Sequence, residues 1–141
     1  MSVTELVDYG YIIVYIYIYI YIGHQIANFG LFLKKLELTI HKAQYKKSLI
    51  CGDWNINFIS DNIRIQEIKN LLESHNLINI VRSPTRISPS SESLIDVIVT
   101  KKDNPELGAS VVDLGFSDHL AQVAKITAGK GNRRNKIVVR R

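Results

Sequence analysis

The sequence holds one cysteine, one tryptophan, one methionine and three prolines in 141 residues. Cys51 alone closes no intramolecular disulfide, and a thiolate zinc site built on it would need ligands of other kinds. No apolar run reaches the roughly 20 residues that a bilayer-crossing helix needs. The longest, residues 11–22, has 12. It is preceded by Glu5 and Asp8 and by no Lys or Arg, which suits a signal peptide poorly. The expectation is a protein that neither enters a membrane nor is secreted and that works inside the cell, the nucleus included. Acidic residues are missing from one stretch: from Lys125 to Arg141 there are seven basic residues and no acidic one. Residues 1–124 carry 11 basic and 13 acidic residues, a net of −2, so the overall charge of +5 belongs to the tail. With 46% hydrophobic and 22% charged residues, the remainder is ordinary for one small globular domain.

What is present in excess is the run Tyr-Ile-Ile-Val-Tyr-Ile-Tyr-Ile-Tyr-Ile-Tyr-Ile at 11–22. Two β-favouring residues alternate, both apolar, so the run reads as a strand buried on both faces; left unpaired, it would be an edge prone to aggregation. A TA dinucleotide repeat encodes Tyr-Ile in every frame, which offers a second origin for the run. From Asn28 the spacing turns helical, with Phe29, Phe32, Leu33, Leu36, Ile40 and Ala43 on one face. Ser48–Cys51 predicts a strand ending at Gly52. Ser60 or Asp61 is placed to cap a helix bearing Ile65, Ile68, Leu71, Leu72 and His75, which runs up to Asn76. A short apolar piece, Leu77–Val81, precedes a Pro/Ser loop around Pro84 and Pro89. Strands are expected at Leu94–Thr100, Ser110–Leu114 and Leu120–Ile126, and disorder beyond Thr127. This order of elements predicts a layered α/β domain.

Polar residues gather past the carboxyl ends of the expected strands, where open α/β sheets place their sites. Three clusters are Gly52-Asp53-Trp54-Asn55, Ile95-Asp96 and Ser117-Asp118-His119. Phosphodiester hydrolysis asks for a carboxylate to orient or deprotonate water, donors for the phosphate oxygens, and a hard divalent metal held by carboxylates. His119 suits the donor role, with its tautomer held by a carboxylate such as Asp96. Each cluster also has a plainer reading. Asp53 and Asn55 fit a turn after a strand, and Asp118 with His119 fits a helix cap or a mutually satisfied pair. Asp96 resists the plain reading, because a carboxylate inside an apolar strand is costly unless paired. His24, His41 and His75 read as surface histidines, and Cys51 as a small core residue.

In order, these clusters resemble the endonuclease/exonuclease/phosphatase superfamily, and more closely the endonuclease domain that precedes the reverse transcriptase in non-LTR retrotransposons. Leu49-Ile50-Cys51-Gly52-Asp53-Trp54-Asn55 resembles its GDxN signature. Pro84-Thr85-Arg86 and Ser93-Leu94-Ile95-Asp96 resemble the segment leading to its catalytic Asp, and Ser117-Asp118-His119 its SDH box. The resemblance implies a two-sheet α/β sandwich acting as a magnesium-dependent endonuclease on nucleic acid, DNA above all. It implies that Asp53 handles the nucleophilic water, that Asn55 supports the scissile phosphate, and that Asp96 orients a phosphate-contacting His119. Asp118 would lie at or near Mg2+, and Arg86 would contact nucleic acid. The resemblance covers roughly residues 28–127 and only the carboxyl-terminal half of the family's domain. The half with the metal-binding Glu has no counterpart, and only Tyr19 or Tyr21 could stand in for a site Tyr. The expected organisation is therefore a Tyr/Ile strand at 1–27, a partial sandwich at 28–127 and a basic tail at 128–141, with a weak hold on magnesium and little activity. Two other readings stay open: a non-catalytic nucleic-acid-binding remnant using the tail, and a chain that folds poorly.

Overall fold

A computed structural model of the chain describes residues 2–6, 11–15, 28–43, 47–103, 107–126 and 136–139. The helical spacing after Asn28 becomes α1, Phe29–Ala43, which buries Leu36, Thr39, Ile40 and Ala43. His41 and Lys42 in its last turn complement the negative end of the helix dipole. The second helix, α2, spans Ile63–Ser74 and buries Ile65, Ile68 and Leu72. Its cap is Asn62 rather than Ser60 or Asp61: Asn62 alone combines extended backbone with a side chain that accepts the Ile65 N–H at 3.1 Å. Asp61 instead accepts from Gln66. At the other end Asn76, at φ +56°, turns the chain out of the helix.

The strands are β1 Ser2–Leu6, β2 Tyr11–Tyr15, β3 Lys47–Asp53, β4 Leu77–Asn79, β5 Arg86–Ser88, β6 Ser91–Ser93, β7 Asp96–Lys101, β8 Leu107–Val112, β9 Ala121–Ile126 and β10 Lys136–Val139. They form a five-stranded sheet in the order β1-β2-β3-β7-β4, a three-stranded sheet β10-β9-β8 and the hairpin β5-β6. In the larger sheet β2 runs parallel to β3, and the other neighbours are antiparallel. The strand expected at 11–22 is present at Tyr11–Tyr15. The burial of its side chains, residues 16–22 with Tyr19 and Tyr21, and His24 lie outside the described residues.

Burial explains the layering. Asp96 through Thr100 of β7 are buried at every position, which requires cover on both faces of the sheet. One apolar cluster unites Leu36 and Ile40 of α1, Ile65, Ile68 and Leu72 of α2, Leu49 and Ile50 of β3 and Val97, Ile98 and Val99 of β7. The small sheet joins it through Ala124 and through Leu107, Ala109 and Val111, every second residue of β8. Several elements depart from expectation: β1 was not foreseen, and the strand expected at Ser110–Leu114 is β8, Leu107–Val112. The Pro/Ser loop folds into the β5-β6 hairpin, because Pro89 fits the bend and the Ser88 hydroxyl donates to the Ser91 carbonyl at 3.1 Å. Within the stretch expected to be disordered, the β-branched Ile137-Val138-Val139 lies in β10, paired with β9; residues 127–135 are outside the described set. Among the described residues no helix is long and apolar enough to cross a membrane.

Since Ile68 is fully buried and Ile63 is 70% exposed on the same helix, their truncations should separate. Ile68→Ala is expected to cost about 2–4 kcal/mol in urea unfolding and Ile63→Ala less than about 0.5 kcal/mol.

Candidate active site

The antiparallel register of β3 against β7 sets Asp53 directly opposite Asp96. Both acids sit at the end of their pairing, Asp53 as the last residue of β3 and Asp96 as the first of β7. Just beyond, the chain must leave the sheet without exposing Trp54. It does so in a tight turn: Asp53 Oδ1 accepts the Asn55 N–H at 2.8 Å, and Asn55 takes φ +51°, a conformation Asn tolerates better than most side chains. Trp54, fully buried, packs its ring against Phe32 of α1 and Phe58, while its backbone N–H donates to the Ile95 carbonyl at 2.8 Å. Asn57 Oδ1 accepts from Ile59 and, at 3.0 Å, from Leu94. The segment after β3 is thereby tied to the two residues that lead into β7.

Thr85, at 0% exposure, does the same from the other side. Its Oγ1 accepts the N–H groups of Ile95 at 3.1 Å and Asp96 at 3.0 Å. Its backbone carbonyl takes the Leu120 N–H at 2.7 Å, and the Ile87 N–H donates to the Asp118 carbonyl at 2.9 Å. A β-bridge between Arg86 and His119 completes this seam. His119 is thus delivered to Asp96, with Nδ1 3.2 Å from Asp96 Oδ2. Asp53, Asp96 and His119 each bring a ligand-type atom within 4.8 Å of the others.

The two acids have different surroundings. Burial holds the Asp96 carboxyl above its ordinary value, and the charge of Asp53 pushes the same way. Hydrogen bonds from Thr85 and His119 act against them. Asp53 is less buried and keeps one carboxylate oxygen without a hydrogen-bond partner among the described residues. A half-buried imidazole on a buried carboxylate beside a more accessible carboxylate can hold a proton on one side of a substrate and polarise water on the other.

Of the six residues singled out in the sequence, three converge here: Asp53, Asp96 and His119. Asn55 is next to them, exposed at the turn. Asp118 lies outside the triad: its carboxylate meets the Arg86 guanidinium at 2.8 Å, and that contact lowers its pKa. Thr85 was missed as a functional position. The signal for it was faint, a hydroxyl in a Pro-Thr-Arg loop eleven residues before Asp96, and its partners are backbone groups that no spacing reveals.

The fold is that of the endonuclease/exonuclease/phosphatase domains. A family profile described as endonuclease-reverse transcriptase matches residues 13–123, and the chain belongs to that family. Among solved structures, the endonuclease domain of TRAS1, a telomere-specific non-LTR retrotransposon, matches with a TM-score of 0.63 at 21% identity. The match covers 85% of this chain and 58% of that one, so the chain spans about three-fifths of that domain's length. At this identity the likeness is one of fold. No curated protein matches the sequence.

Thr85→Val removes the acceptor of two buried N–H groups and is expected to lower stability by about 2–3 kcal/mol, while Thr85→Ser stays within about 1 kcal/mol of wild type in urea unfolding. For Asp96 the sign follows from its raised value. The folded chain binds that proton more tightly than the unfolded one, so the carboxyl favours folding below 3.8 and loses this contribution as pH rises through the raised value. In chelator-treated protein Asp96→Asn should therefore melt above wild type at neutral pH. The gap should close as pH falls toward 3.8.

Proposed function

We propose that this chain carries the chemical centre of a retrotransposon-type, magnesium-dependent endonuclease that hydrolyses phosphodiester bonds in nucleic acid, DNA above all. The convergence of Asp53, Asp96 and His119 within 4.8 Å carries the reading. Membership of the endonuclease-reverse transcriptase family supports nucleic acid as the substrate, and a place of action inside the cell, the nucleus included, follows from that substrate.

Asp53 orients the attacking water and accepts its proton through the oxygen left uncommitted by Asn55. Asn55 offers its amide to the scissile phosphate from the exposed turn. Asp96 accepts from His119 Nδ1 and favours the imidazolium, in which Nε2 also carries a hydrogen and donates it to a non-bridging phosphate oxygen as charge develops there. Arg86, half exposed beside Asp118, contacts the nucleic-acid backbone.

The donors fit a hard divalent cation only in part. Asp53 has a free oxygen, whereas Asp96 is engaged by Thr85 and His119, and Asp118 by Arg86. Magnesium is commonly held by one or two carboxylates, with water and substrate phosphate filling the rest. Asp118 would hold it here once its contact with Arg86 gives way, with Asp53 near by and left to the water; when bound, it supplies charge stabilisation of the transition state. One carboxylate makes a loose site, so these 141 residues alone are expected to cleave slowly.

Nicking of supercoiled plasmid at saturating magnesium tests the reading. Slow nicking that stops with chelator and falls about 100-fold or more in Asp53→Ala and in His119→Ala is the expected result. Nicking unchanged in both variants overturns it. Binding that survives both substitutions, falls steeply with salt and disappears on removal of residues 128–141, with no nicking at all, would assign the chain instead to non-catalytic nucleic-acid binding.

A further inference from the structure

A second set of metal-ligand side chains lies away from Asp53. Glu37 and His41 are four residues apart on α1 and so share a face. His75 is the C-cap residue of α2. One ligand atom from each of the three falls within 4.8 Å of the others, and the two imidazoles meet edge to face with centroids 5.1 Å apart at 83°. Glu37 and His41 are exposed and His75 is half-buried, so the space between them is open to solvent ions.

A surface Glu-His pair would account for two of these residues, yet Glu37 forms no ion pair among the described residues. The three donors occupy one space without satisfying one another. The backbone around them adds a second observation. His41 sits in the last turn of α1 and His75 at the end of α2, so the negative ends of two helix dipoles lie beside the three donors. Both features favour a cation.

We propose that Glu37, His41 and His75 form a site for a borderline-soft divalent cation of the zinc class, which clips the end of α1 to the end of α2. Two imidazoles and a carboxylate are a recurrent zinc donor set, with water in the fourth tetrahedral position. Metal-ligand distances of about 2.0–2.1 Å bring donors to roughly 3.4 Å of one another, a closure within reach of exposed rotamers. The donor set also separates this site from a magnesium centre, because two nitrogens suit zinc and not magnesium.

The sheet puts the clip far from Asp53. α1 ends four residues before β3 begins, and Asp53 is at the other end of that strand. Leu77, two residues after His75, pairs with Lys101, whereas Asp96 opens the opposite end of β7. Six strand steps of about 3.3 Å place the two centres roughly 20 Å apart. Substitutions in the clip therefore leave the nicking residues untouched.

The test uses untagged full-length chain, stripped with chelator and titrated with zinc chloride by calorimetry, and with cobalt chloride followed by visible absorption. One equivalent of zinc is expected, with a tetrahedral cobalt spectrum. Affinity should drop at least tenfold in His41→Asn, in His75→Asn and in Glu37→Gln, and stay unchanged in Asp53→Asn. Zinc should raise the melting temperature of wild type and Asp53→Asn and leave that of His41→Asn alone. Absence of zinc binding in the wild type, binding unchanged in the His41→Asn/His75→Asn double variant, or binding abolished by Asp53→Asn would overturn the proposal. None of these results depends on nuclease activity, so the clip and the proposed function stand or fall separately.

Discussion

The pairing of β3 with β7 is the constraint from which the rest of the site follows. Its register faces Asp53 with Asp96, and two carboxylates opposite each other repel. The repulsion is sharpened by burial, since Asp96 is 7% exposed. Such a pair persists only where other groups compensate for it, and they arrive from segments distant in sequence. Thr85 accepts two backbone N–H groups at the start of β7 and bonds the Asp96 carboxyl, and His119 supplies an imidazole at 3.2 Å. Neither could be in place alone, because residues 85–87 hold 118–120 through backbone hydrogen bonds and a β-bridge. The β5-β6 hairpin, which looks peripheral, is therefore the part that keeps imidazole and carboxylate together.

Different surroundings give the two acids different work. Asp96 is enclosed, held above its ordinary pKa and committed to Thr85 and His119. Asp53 is more accessible and has only one oxygen committed, to its own turn. A site that needs one carboxylate to set a tautomer and another to meet water is served by that asymmetry. Trp54 helps to maintain it: the indole fills the space between Phe32 and Phe58, so the turn bearing Asp53 and Asn55 cannot sink into the core.

How much of this was legible in the sequence depended on range. The faces of α1 and α2, the strand ending in Gly52-Asp53 and the apolar run around Asp96 were written in local periodicity, and the structure keeps them with shifts of one or two residues. The grouping of Asp53, Asp96 and His119 was legible as an order of motifs and not as geometry. The β5-β6 hairpin was missed because Pro84, Pro89 and the serines read as loop, and its partners at 118–120 lie more than 30 residues away. Thr85 was missed for a related reason: its acceptor role is to backbone N–H groups, which every residue has. The cap at Asn62 was displaced because Ser60, Asp61 and Asn62 are all good caps, and it is the Asn62 side chain that takes the Ile65 N–H. His41 and His75 read singly as surface residues, since their proximity depends on two helix ends meeting.

The contact between Arg86 and Asp118 bears on how the proposed chemistry would start. Both side chains are nearly half exposed, and an exposed ion pair of this kind is worth about 0–1 kcal/mol. A phosphate offers Arg a charge-assisted, bidentate partner that is stronger than a single exposed carboxylate contact. An incoming nucleic-acid backbone could therefore take the guanidinium from Asp118 at small cost. Arg86 is bridged through its backbone to His119, so guanidinium and imidazole would approach the anion from neighbouring positions. Asp118 would at the same moment be released as a free carboxylate beside the triad. The arrangement reconciles the metal role that the family resemblance implies for Asp118 with its observed place against Arg86: the carboxylate becomes available once substrate has taken its partner. Cation affinity at the site would then rise with bound nucleic acid, and by linkage nucleic acid would bind more tightly with the cation present.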